Sequence, residues 1–165
     1  MFDLSMYESD SQSFTSKNDE SQKGRLLALD IGDKRIGMAI SDPLKIIAQG
    51  LPTLFRKGKK HDTNVIRDIM IKNDVTAIVY GLPKNMNGTL GAQAEKTEAF
   101  IKYLKSRINC PFIPLDERLT SRSANIALME SGMSREKRSK KVDMLAAVLI
   151  LQNYLDFSRR KKDAR

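Results

Sequence analysis

One cysteine, one histidine and no tryptophan occur among 165 residues. The lone thiol, Cys110, excludes an internal disulfide and fits a reducing compartment. One Cys and one His cannot build a structural zinc site, so any metal here takes oxygen ligands, which means Mg²⁺ or Mn²⁺. His61 stands in the polar stretch Lys57-Gly58-Lys59-Lys60-His61, remote from any nucleophile elbow, which removes Ser-His-Asp and Cys-His catalysis. No apolar run approaches the ~18 residues of a membrane span. Nor does the N-terminus show a basic region followed by an apolar core, so neither a membrane partner nor secretion is expected, and the cytoplasm is the expected location.

Positive charge is what the chain has in excess, with 29 Lys and Arg against 20 Asp and Glu. The excess is uneven. Residues 1–22 hold five acids and one base, leaving 28 bases against 15 acids in the remainder. A basic body of that kind favours a polyanion, bound through its phosphates in a salt-sensitive way. A merely well-solvated basic protein is the competing reading. With tryptophan absent, stacking on bases is secondary to phosphate contacts.

Residues 1–22 are rich in Ser, Asp, Glu and Gln without apolar period and read as a disordered tail. Residues 158–165 read as a basic C-terminal tail, leaving 23–157 as one domain. Apolar runs and period-two alternation predict strands over 25–31, 35–41, 75–80 and 112–115, with a weaker edge strand at 49–55 interrupted by Pro52. Helical spacing predicts a helix capped by Asp62, then helices near 90–107, 121–131 and 141–156. The order β-β-β-α-β-α-β-α-α implies an α/β fold with a mixed sheet, its first three strands antiparallel and the later ones parallel to the first. Ligands in such sheets bind beyond the carboxyl ends of the parallel strands.

Carboxylates stand at those ends. Asp30 closes Leu26–Leu29, Asp116 and Glu117 follow Phe112–Leu115, and Asp143 opens Met144–Leu151. Acids gathered at one edge repel one another unless a divalent cation sits between them. Of the adjacent pair, Glu117 has the longer reach and is the expected ligand. Small Ala146 and Ala147 let the last helix lie close to the sheet and carry Asp143 towards the strand ends. Each acid has a plainer reading as well: Asp30 with Gly32 as a hairpin turn, Glu117 as an exposed loop end, Asp143 as a dipole partner in a first helical turn. Gly32 permits close backbone approach to a phosphate, and Lys34 and Arg35 add charge at the rim. The loop Gly81-Leu82-Pro83-Lys84-Asn85-Met86-Asn87-Gly88-Thr89 offers Lys84, Asn85 and Asn87 to phosphate or sugar, or is an ordinary turn-rich connection. Arg118 and Lys141, the latter in the basic run Ser134–Lys141, complete the expected nucleic-acid contacts.

Four stretches together resemble the YqgF/RuvX family: Leu29-Asp30-Ile31-Gly32-Asp33-Lys34-Arg35-Ile36-Gly37 with Ser41-Asp42-Pro43; Gly81 to Gly88; Asp116-Glu117-Arg118-Leu119-Thr120; and Val142-Asp143-Met144-Leu145-Ala146-Ala147. The resemblance runs from about residue 25 to 156. It implies an RNase H-like fold, with a five-stranded mixed sheet of order 3-2-1-4-5 flanked by helices, related to junction resolvases of the RuvC type. It also implies a nuclease that matures the 5′ end of precursor 16S rRNA, with Asp30, Glu117 and Asp143 as the acidic site. One departure is Asn87, where the family commonly has Asp.

Metal-dependent phosphodiester hydrolysis is therefore the expected activity, with Asp30 shared between two Mg²⁺ ions about 4 Å apart. Two rivals stay open. A Holliday junction resolvase would apply the same chemistry to branched DNA and would gain from a homodimer rather than a monomer. A non-catalytic RNA-binding factor in ribosome assembly or transcription would bind RNA without turnover.

Overall fold

Leu26, Leu27, Ala28 and Leu29 are all buried, which makes their segment the centre of a sheet rather than an edge. The structure is a computed structural model that describes residues 23–116 and 134–164. Within them lie β1 (Arg25–Ile31), β2 (Arg35–Ser41), β3 (Ala48–Phe55), α1 (Lys59–Lys72), β4 (Val75–Leu82), α2 (Ala92–Lys105), β5 (Phe112–Asp116) and α3 (Arg135–Asp163). The tail expected over 1–22 and the helix expected over 121–131 fall outside the described residues. Among those described, no helix is long and apolar enough to cross a membrane.

The sheet has the expected order, β3-β2-β1-β4-β5. Strands β1, β2 and β3 pair antiparallel, while β4 and β5 extend the sheet parallel to β1. Pro52 stands on edge strand β3 and Pro114 on edge strand β5, where a missing N–H costs no central ladder bond.

The two faces differ in the size of their residues. Leu27, Leu29, Met38, Ile78 and Tyr80 pack against α1 and α2 through Ile66, Met70, Phe100 and Leu104. The opposite face offers Leu26, Ala28, Ala39, Ala77 and Val79 to Ala147, Ile150, Leu151 and Leu155 of α3. In register, Ala28 lies beside Ala39 and Ala39 beside Gly50, so a row of small residues crosses three strands. A Cβ on Gly50 would stand 2.6 Å from Met144 Sδ. Low relief beneath α3 is what brings this helix down onto the sheet.

Four boundaries depart from the sequence expectation. Gly81 and Leu82 belong to β4, where Gly81 pairs with Leu115, rather than to the following loop. Helix α3 starts at Arg135 instead of near 141, and runs to Asp163 instead of ending near 156. Finally, α1 is capped by Gly58, not by Asp62. Asp62 is fully buried inside the first turn, where it accepts the Lys57 N–H at 3.0 Å and faces Arg56 Nε at 3.2 Å.

Ser41 is fully buried at the end of β2; its hydroxyl oxygen accepts the Leu26 N–H at 2.9 Å and donates to Asp42 O at 3.0 Å. Ser41→Ala leaves a buried strand N–H without its acceptor, an expected loss of roughly 1–2 kcal/mol in urea unfolding. Cys110 is half-buried, and burial pushes its thiol up to about 11, against a weaker pull from the Ile78 backbone N–H. It is therefore a thiol, not a nucleophile, at neutral pH.

Candidate active site at the carboxyl end of the parallel strands

Side chains alternate across a strand, and β1 gives Leu26 and Ala28 to the α3 face. Asp30 continues that series as the strand ends. Its partner in register on β2 is Gly37, which is buried. A Cβ on Gly37 would overlap the carbonyl oxygen of Asp143 and stand 2.5 Å from its carbonyl carbon. Asp30, Gly37 and the backbone of Asp143 are thus stacked at one corner, with glycine as the space that admits the helix. Gly37 was not among the residues expected to matter, although an isolated glycine inside Ile36-Gly37-Met38-Ala39-Ile40 is a recognisable mark of close backbone approach.

Asp143 lies two turns inside α3, not in its first turn as the apolar pattern suggested. The dipole of the helix start falls off within one turn, so it does not explain an acid here. Arg35 does bear on it: Nε stands 2.7 Å from Asp143 Oδ2, with both side chains largely buried. The contact is a charge pairing without alignment, since Oδ2 is buried and receives no directed hydrogen bond. Burial raises the Asp143 carboxyl above its ordinary 3.8, with the positive charge of Arg35 opposing. A folded-state pKa above the unfolded one means folding disfavours the ionised form, and the penalty fades as pH falls through the raised value. Asp143→Asn is accordingly expected to melt above the parent at pH 7, with the gap narrowing as pH approaches 4. Paired melting curves across that range check it, and a pH-independent gap would contradict it.

The hairpin between β1 and β2 is clamped. Gly32 N donates to Arg35 O at 2.9 Å, Arg56 N donates to Lys34 O at 3.0 Å, and Arg56 Nη1 donates to Gly32 O at 2.9 Å. A Cβ on Gly32 would lie 2.8 Å from Arg35 O, so glycine is required by the turn itself. Arg56 joins this turn to buried Asp62 and spans 4.6 Å to the Phe100 ring. Sequence reasoning passed over Arg56, whose polar surroundings carry no periodic signal.

Beyond β4 the chain makes a small hairpin rather than an open cradle. Lys84 bridges to Leu90, Asn85 N donates to Thr89 O at 2.9 Å, and Gly88 turns at φ 82°. Asn87 Oδ1 accepts both the Thr89 N–H at 3.1 Å and the Thr89 hydroxyl at 2.6 Å, while Asn85 Nδ2 donates to Thr89 Oγ1 at 3.0 Å. Both amides are thereby used within the loop. Gln93 Nε2 donates to Ile31 O at 3.2 Å, tying the start of α2 to the end of β1.

Lys34 is exposed at the hairpin tip. Lys141 is exposed two residues before Asp143, hence about 200° round the helix from it. Asp116 ends β5 in the alternation of Phe112, which faces α1 and α2, whereas Ile113 and Leu115 face α3. Asp116 is therefore not on the Asp30 face. Glu117 and Arg118 fall outside the described residues, and among those described no three potential ligands gather. Ser41 and Asp42 sit at the far end of the sheet. There Asp42 Oδ1 accepts the Ile46 and Ile47 N–H groups, and chiefly the Ile47 bond holds its carboxyl below the usual range.

A family model described as "RuvX: Holliday junction resolvase" matches residues 24–157. Among curated relatives, a "Putative pre-16S rRNA nuclease" of Clostridium kluyveri is 53% identical over 132 residues, 80% of this chain and 96% of that protein. One of the same name from Clostridioides difficile is 49% identical over 134 residues, 81% of this chain and 95% of that protein. Among solved structures, T. thermophilus RuvC in complex with a Holliday junction substrate superposes with TM-score 0.50 at 13% identity, over 83% of this chain and 96% of that one. The Fowlpox virus resolvase bound to its substrate Holliday junction DNA gives 0.50 at 12% identity, over 81% and 98%. At such identities the likeness is one of fold, and with the observed sheet order it is the RNase H-like fold.

Proposed function

The chain belongs to the RuvX family and is thereby a nuclease, a hydrolase of phosphodiester bonds; on that premise we propose that it trims the 5′ end of precursor 16S rRNA in the cytoplasm, using a divalent cation held by Asp30, Glu117 and Asp143. The observation that carries this reading is the packing of the Asp143 backbone on Gly37, the register partner of Asp30, at the carboxyl end of β1. Support for the substrate is the name borne by relatives at about half identity over most of the chain.

The residues fit an oxygen-ligated cation. Asp143 Oδ2 is buried, lacks a directed hydrogen bond, and belongs to a carboxyl whose ionised form burial disfavours. Such an atom gains more from Mg²⁺ or Mn²⁺ than from one misaligned guanidinium. Asp116 is turned away from the Asp30 face, so Glu117, the longer of the two adjacent acids, is kept as the third ligand on the sequence alone. A divalent cation held there lowers the pKa of water and offsets charge on the leaving oxygen. The Arg35 charge favours the ionised form of Asp143, and Lys34, Lys84, Arg118 and Lys141 are assigned to the phosphates of the strand. Gly32, Asn85 and Asn87 shape the backbone turns against which the strand lies.

A second reading, junction resolution on DNA, is favoured by the family model's own description. Side-by-side assays with Mg²⁺ on a precursor 16S rRNA fragment and on a four-way DNA junction separate the two. Cleavage at the mature 5′ end of the RNA supports the proposal, and cleavage of the junction alone replaces it. Tight, salt-sensitive RNA binding with no turnover in either assay would leave an assembly factor.

A further inference from the structure

A second concentration of charge lies on the face of the sheet that carries α1 and α2, opposite α3 and therefore opposite Asp143. A cleft of about 360 Å³ opens there between the two helices, lined by Lys60, Thr63, Asn64, Arg67, Tyr103 and Arg107. It adjoins another of about 470 Å³ that shares Lys60 and Asn64 and continues past Lys57 and Lys59. No acid lines either. Among the described residues no carboxylate pairs with Lys59, Lys60, Arg67 or Arg107. Asp62 is buried against Arg56, and exposed Asp68, next to Arg67 and one turn on from Asn64, is in the lining of neither cleft and pairs with none of these cations.

The cations are also held in place. Arg67 Nη2 donates to Arg107 O at 3.1 Å, the Arg107 guanidinium lies 4.6 Å above the Tyr103 ring, and Lys59 Nζ lies 5.9 Å from the same ring. Gathering like charges without acids costs stability through their repulsion, which a bound polyanion relieves. Fixing the side chains beforehand lowers the entropy lost when phosphates arrive.

We propose that the groove between α1 and α2 is a track for the sugar-phosphate backbone of a nucleic-acid strand, separate from the carboxylate corner and on the reverse face of the sheet. Its extent across two adjoining clefts suits several consecutive phosphates rather than one. With cations over Tyr103, the track grips the backbone and not the bases, so it is indifferent to sequence. It would hold a segment of the substrate remote from the bond being cut. This rests on the nucleic-acid reading above.

The test is binding of fluorescent single strands of about 20 nucleotides, RNA and DNA of one sequence, by anisotropy across a salt series with EDTA present. In the full-length protein, Lys60→Glu with Arg107→Glu is expected to weaken binding about tenfold near 0.1 M salt. The slope of log affinity against log salt should fall by about 1.4, two phosphates at about 0.7 each. Because no turnover is read, a failure of the nuclease reading leaves this result intact, and the converse also holds. Loss with either polymer supports the track, and the polymer losing more names its occupant. Unchanged affinity and slope overturn it, as does a loss confined to vesicles containing an anionic lipid. Should the double reversal fail to fold by circular dichroism, Lys60→Ala and Arg107→Gln singly decide it, each expected to lower the slope by about 0.7.

Discussion

Gly37→Ala is expected to disable the enzyme by adding a single methyl group and no charge. The new Cβ would overlap the carbonyl oxygen of Asp143 and lie 2.5 Å from its carbonyl carbon, against an ordinary contact of about 3.5–4.0 Å. Helix α3 must retreat by about 1 Å or the strand must buckle, and close-packed interiors resist both. Overpacking of this kind costs about 1–3 kcal/mol, occasionally more. Displacement of a reacting group by about 1 Å costs on the order of 10²-fold in rate. Urea unfolding and single-turnover cleavage measure the two consequences, and a variant matching the parent in both would remove Gly37 from the site.

Asp30→Asn should act in the opposite way, sparing the fold and removing the chemistry. Asn matches Asp in size, and the residue is only half-buried at a strand end. With three carboxylates sharing a cation as proposed, losing one should lower Mg²⁺-dependent cleavage by at least about 10³-fold. RNA affinity in EDTA should remain near the parent value, and the affinity for Mn²⁺, followed by water-proton relaxation, should fall. Adding Asp143→Asn should cost little more, because residues that act as a unit are not additive. Parental cleavage by Asp30→Asn would end the catalytic assignment.

The sheet was legible because its strands carry their own signals. A continuous apolar run marks β1, Ile36, Met38 and Ile40 at every second position mark β2, and Pro52 placed β3 at an edge. The close approach of α3 to the sheet was legible from the small residues Ala146 and Ala147, and the Asp143 backbone does pack on Gly37, the register partner of Asp30. What escaped reading has a common physical cause. The first two turns of α3, within Ser134–Lys141, and the last turn, around Arg159 to Lys162, are polar all round, so no apolar period announces a helix. Arg, Glu and Lys nonetheless favour helix intrinsically, and a packed central segment carries its ends along. Gly81 and Leu82 look like a turn but are held in β4 by pairing with Leu115 and Asp116. Tertiary pairing overrode local preference there. Asp62 looked like a cap, yet Gly58 takes that place and Asp62 serves Arg56 from inside the first turn.

Among the described residues, α3 is the helix that covers the Leu26 and Ala28 side of the sheet, and it follows all five strands in the chain. On a translating ribosome, Asp30 emerges 113 residues ahead of Asp143. A nascent chain carrying β1 to β5 without α3 lacks Ile150, Leu151 and Leu155 of the core on that side and the Asp143 carboxylate of the proposed site. On the proposed reading, cleavage waits until α3 has emerged and docked.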